Sequence, residues 1–223
     1  MDGPPPDLPR QRAGIAPQGR GRYPDHDVLA HAGRWDEATR AVVLARVHAV
    51  PPLRFFDAEE AATLRAFCDA VTAQDAEPRI PVLHYVDAKL AHGRGEGYRH
   101  AALPADGALW RLLAAGLDEA AGAPFSQAPT PRRHALVGEF AAGELRPVAW
   151  SGIDVALAWK VVMRDVLWAF YAHPWAWNEI GFGGPAYPRG YARLGIGRRE
   201  PGEAPEEFAV DPVTDVVDRG LES

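Results

Sequence analysis

At 223 residues, with 47% hydrophobic and 24% charged residues, the chain has the make-up of a globular domain that buries a core without metals or cross-links. A formal charge of −6 argues against the concentrated basic face of a nucleic-acid binder. The single cysteine, Cys68, excludes an internal disulfide and a c-type haem attachment; on an apolar helical stripe, it reads as a buried small hydrophobe.

Residues 1–22 gather Pro, Gly and the arginines Arg10, Arg12, Arg20 and Arg22, and are expected to form a disordered arm. No apolar run follows those arginines, so the stretch reads as neither a Sec nor a twin-arginine signal, and a cytoplasmic location is expected. The first predicted helix runs from about Asp36 to His48, with Ala38, Val42, Val43 and Val47 facing inward and Pro51-Pro52 stopping it. Asp57 and Glu60 then form a D-x-x-E start close to a capping box, followed by Ala61, Leu64, Phe67, Cys68 and Val71 at helical spacing. Pro81 suits the first position of a third helix, whose apolar face is Val82, Tyr85, Val86 and Leu90. After a loop from Gly93 to Pro104, a fourth helix spans Asp106 to Ala121, with Leu109, Trp110, Leu113 and Leu117 on one side and Gly122 as its stop.

A fifth helix starting at Thr130-Pro131 buries Leu136, Val137 and Phe140. The sixth, about Gly152 to Ala172, is apolar around most of its circumference and is expected at the centre of a bundle. Its charges Asp154, Lys160, Arg164 and Asp165 argue against a membrane span. Strand pairs and internal repeats are not evident. The expected fold is all-α: one bundle-like domain of five to six helices over residues 23–197, with an extended aromatic and glycine-rich C-terminal segment. From Arg198 onward, eight acids and three arginines read as a flexible, solvated tail.

Cofactor and catalytic patterns are sparse. The glycines of Gly93–Gly97 and Gly181–Gly184 lack the spacing and the preceding strand of a dinucleotide turn. The eight histidines (His26, His31, His48, His84, His92, His100, His134 and His173) form no helical ligand pair. Ser126 and Ser151 have no nucleophile context, while Glu59-Glu60 and Asp118-Glu119 look like cap and solvent-face residues. No catalytic, cofactor or metal residue is assigned. The stretch Tyr171–Gly197 is different, concentrating aromatics, glycines and prolines with few charges. It is expected to be an ordered loop, not regular helix. It either wraps over its own core or docks a partner, since Trp and Tyr dominate interface hot spots.

This segment, Phe170 to Pro185 (F-Y-A-H-P-W-A-W-N-E-I-G-F-G-G-P), resembles the gluconate 2-dehydrogenase subunit 3 family. So do the opening F-F-D-A-E-E-A-A-T-L-R-A-F-C-D-A-V-T-A-Q-D (Phe55 to Asp75), the acidic turn at Asp75 and Glu77, and the late Gly190-Tyr191-Ala192-Arg193-Leu194-Gly195 element. The resemblance covers about Phe55 to Gly197. It implies a non-catalytic small subunit that holds no cofactor itself and stabilises a large, FAD-binding GMC-type sugar or alcohol dehydrogenase, with a cytochrome as a further partner. On the docking reading of the aromatic segment, the partner-binding residues are Trp175, Trp177, Asn178, Glu179, Phe182, Gly183, Gly184, Tyr187 and Tyr191. Many family members carry a twin-arginine signal that this sequence does not show, so a cytoplasmic complex is expected. Tyr23–Leu53 lies outside the resemblance, as an extra docking arm. Two alternatives stay open: a metal-dependent enzyme using His84, His92 or His173 with Glu179, and a scaffold binding an unrelated partner through Trp175, Trp177 and Tyr187.

Overall fold

Asp57 starts its helix as its spacing predicts. Its carboxylate accepts from Glu59 N and Glu60 N, and the Glu60 carboxylate accepts from Asp57 N in return, a complete capping box. The computed structural model describes residues 26–74, 77–95, 100–188, 190 and 202. Among these, seven α-helices follow in order: α1 (Glu37–His48), α2 (Ala58–Val71), α3 (Val82–Ala91), α4 (Asp106–Ala121), α5 (Thr130–Ala141), α6 (Val155–Tyr171) and α7 (Pro174–Ile180). Short 3-10 helices occupy Val28–Arg34, Phe125–Gln127 and Val148–Trp150, and the described residues contain no strand. The all-α expectation holds. The expected arm at 1–22 and the acidic tail lie outside the described residues, apart from Gly202.

The described residues fall into two compact units, one drawn from 50–75 and 79–170, the other from 1–49, 76–78 and 171–223. In the first of these, α2 packs against α3, α4 and α5 and buries Ala61, Leu64, Phe67 and Cys68, the stripe read from its spacing. α4 runs over the predicted residues and ends at Gly122, whose φ of +72° suits the left-handed stop. α6 reaches four helices through side chains. Trp159 packs edge-on against Phe67 of α2 and Phe140 of α5, while Asp165 meets Lys89 of α3 and Trp110 of α4. Yet α6 is not buried all round, because Leu167 and Trp168 stay exposed. No helix among the described residues is long and apolar enough to cross a membrane.

Two polar devices in this unit, one buried and one at the surface, are not visible as patterns in the sequence. Fully buried Asp87 on α3 accepts three backbone N–H groups, from Arg54 (2.7 Å), Phe55 (3.0 Å) and Phe56 (3.0 Å), which fixes the chain just ahead of the α2 cap. Asp87→Asn places an NH2 group where an acceptor oxygen stood, and leaving a buried N–H unpaired costs roughly 1–3 kcal/mol. A drop of about 2 kcal/mol in urea unfolding stability is expected; a neutral result would show that the carboxylate is not needed. Glu119 uses the same chemistry at the surface: hydrogen bonds from Ala149 N and Val148 N hold its carboxyl below the usual range and anchor the turn that carries Trp150.

In the other unit, α1 departs from the expected packing. Its cap, Asp36, accepts from Thr39 N as an N-cap should. Of the four residues expected inside, only Val43 is buried; Val47 is half-buried, and Ala38 and Val42 are exposed, Val42 at 58%. The helix docks along one narrow line, through Val43 and Arg46, so most of the apolar stripe faces outward.

Candidate functional site

The aromatic segment after α6 is not an open loop at its start. Pro174 occupies the first helical position, where its missing N–H costs nothing, and Gly181 closes the helix at φ +69°. Between them Pro174–Ile180 forms α7, a correction to the reading of this stretch as non-helical. Prolines and glycines here punctuate a short helix at both ends. The helix caps itself with a histidine: His173 Nδ1 accepts from Trp175 N at 3.2 Å, and His173 Nε2 donates to Arg46 O of α1 at 3.0 Å.

α7 is seated on α1 and on the 3-10 helix Val28–Arg34. Trp177 joins Val28, Trp35 and Val43 in one buried cluster. Its Nε1 donates to Tyr171 O at 2.6 Å, its ring meets Phe182 edge-on, and the Arg46 guanidinium lies 5.8 Å from its ring centroid. Arg46 also donates to Ala172 O, so this one side chain clamps both ends of the His173 turn. Asn178 Oδ1 accepts from Val28 N at 2.8 Å, and His26 Nε2 donates to Phe182 O at 3.3 Å. At Gly184, with φ +81°, an added Cβ would come within 2.8 Å of Trp35 Cζ2 and 2.9 Å of Val28 Cγ2, so a side chain there displaces the cluster.

The residues singled out in the sequence therefore divide. Trp175 and Trp177 are each only 7% exposed, and Asn178 and Gly184 are buried with them. Glu179, Phe182 (40%) and Tyr187 (65%) are exposed, Gly183 is half-buried, and Tyr191 lies outside the described residues. Ile180, exposed at 51%, belongs with the outward group, although the sequence reading did not single it out.

Both nitrogens of His173 are engaged by backbone, which leaves it no lone pair for a metal. His84 Nδ1 donates to Pro51 O and His92 Nδ1 to Ala88 O. Among the described residues no three His, Cys, Asp or Glu side chains are placed to hold a metal ion together. Burial, reinforced by the neighbouring Asp69 charge, pushes the Cys68 thiol far up, so it is not a nucleophile at neutral pH. The buried charges Lys89 and Asp165 pair with each other at 2.9 Å.

These features define an all-α protein whose outward aromatic residues flank a short helix capped by His173. The chain matches the family model described as gluconate 2-dehydrogenase subunit 3 over residues 58–184, more than half its length, and belongs to that family. No curated protein and no solved structure matches it.

Proposed function

We propose that this chain is the non-catalytic small subunit of a flavin-dependent dehydrogenase complex. In that role it binds and stabilises a large GMC-type subunit that carries FAD and oxidises a sugar or alcohol, in a gluconate 2-dehydrogenase-like assembly with a cytochrome as a further component. Family membership over residues 58–184 carries the proposal, because the family is described as a subunit of gluconate 2-dehydrogenase. The exposed Ile180, Phe182 and Tyr187 support it as outward apolar groups beside a rigid helix, the type of residue that anchors interfaces. The FAD belongs to the partner in this reading, and the complex is cytoplasmic.

The test is a tagged pull-down from the native host, with fractionation, a flavin absorbance scan and metal analysis of the eluate. A yellow, stoichiometric large partner in the cytoplasmic fraction is the expected result. A colourless eluate holding this chain alone, or one with bound metal and activity of its own, would overturn it. Within the complex, Phe182→Ala and Tyr187→Ala should each weaken partner capture by about 2 kcal/mol, the size of an interface hot spot. Thermal unfolding of the free chain should barely change for Tyr187→Ala, whose ring is mostly in solvent.

A further inference from the structure

We infer that α7 is an acid-sensitive latch, closed by neutral His173 and released from α1 when that imidazole takes up a proton. The geometry fixes the tautomer: Nδ1 must be bare to accept from Trp175 N while Nε2 donates to Arg46 O. Protonation places a hydrogen on Nδ1, turning the cap's acceptor into a donor that faces another N–H. The new charge also sits at the N-terminal end of a helix, the end that disfavours cations. A Ser, Thr or Asn cap, which does not titrate, has no such dependence.

Among the described residues, the charged group that acts on His173 is itself a cation. From α1 the Arg46 guanidinium acts on His173 with like charge, and His48 in the same last turn is exposed. The 3-10 helix packed on α7 brings His26, bonded to Phe182 O, and Asp27, whose carboxylate is taken by Leu29 N; His31 and Arg34 stand in its last turn. On α7 itself the acid is Glu179, exposed near the far end. Burial is the main cause that holds the His173 pKa down, to about 4 from 6.5; the Arg46 charge adds to it and the hydrogen bond to Arg46 O partly opposes it. The folded-state pKa is depressed, so the latch is fully held above the unfolded value, near 6.5, and weakens as pH falls from there toward about 4.

The experiment compares the full chain with His173→Asn, which keeps a side-chain acceptor at the cap but does not titrate. Peptide-resolved hydrogen exchange between pH 7 and 4, corrected for intrinsic rates, should show protection lost over residues 171–182 in the wild type. Protection over α2 to α5 should persist, and the variant should show no extra loss in this window. A span of about 2.5 pH units corresponds to a roughly 300-fold change in the opening equilibrium. Equal pH dependence in the two proteins, or loss beginning in α2 to α5, would overturn the latch. If the variant does not fold, the His173 ring proton shift in the wild type decides: a midpoint below 5 supports the latch and one near 6.5 refutes it.

Discussion

Trp177→Ala should cost the protein stability before it costs it a partner. The ring is 7% exposed in a cluster with Val28, Trp35 and Val43, and it also holds Phe182, the Arg46 guanidinium and the Tyr171 carbonyl. Truncating a buried tryptophan costs roughly 3–5 kcal/mol, through lost burial and the cavity that remains. Against a typical total of about 5–15 kcal/mol, that is a large share. Trp175, whose ring stands edge-on to His173, adds to the loss when both are replaced. Denaturant unfolding of the free chain, monitored by the remaining tryptophans, measures this directly. A fully stable double variant that had lost only its partner would instead make both residues interface anchors. The exposed Tyr187 is the control, because its replacement should reverse that order.

The second large effect sits in the other unit. Asp165→Ala removes the carboxylate that pairs with Lys89 Nζ, accepts from Trp110 Nε1 at 3.3 Å and from Arg164 at 3.2 Å, and is itself fully buried. Lys89 keeps its place over the Trp168 ring, at 5.6 Å, but loses its countercharge in a site where water reaches little of it. Breaking a buried pair from one side costs roughly 3–5 kcal/mol, while replacing both partners by apolar residues of like size is often neutral or better. Asp165→Ala should therefore lower the urea midpoint strongly, and Lys89→Met with Asp165→Leu should recover part of it, since Trp110 Nε1 and Arg164 still lack their acceptor. A double variant as unstable as the single one would show that the pair contributes more than mutual compensation.

What the sequence disclosed follows the physics of each signal. Helix existence was legible wherever apolar period and caps agreed, as with Asp57, Glu60 and the α2 stripe, or Gly122 after α4. The helix α1 was legible too, but its inward face was not: Val42 and Val43 look equally suited to a core and only Val43 faces it, because adjacent valines carry no information about which neighbour arrives. Helix existence failed at α7, where proline and glycine density suggested loop, although each sits at a position a helix terminus favours. The buried charges Asp87, Lys89 and Asp165 gave no signal, because their partners lie far along the chain. Within the aromatic segment, sequence singled out the aromatics together and could not separate inward Trp177 from outward Phe182, a division set by contacts with Val28 and Trp35.

The Asp87 device bears finally on the order in which the chain acquires its structure. The start of α2 has a local capping box, yet the amides of Arg54, Phe55 and Phe56 just ahead of it are satisfied from α3, 31 to 33 residues away. A peptide spanning α2 alone should fray at its entrance despite its cap, since an isolated helix of this length is marginal in water. The entrance to α2 and the body of α3 therefore consolidate in the same cooperative step. Mutations at Asp87 should slow folding if that step is the nucleus and speed unfolding if it comes later.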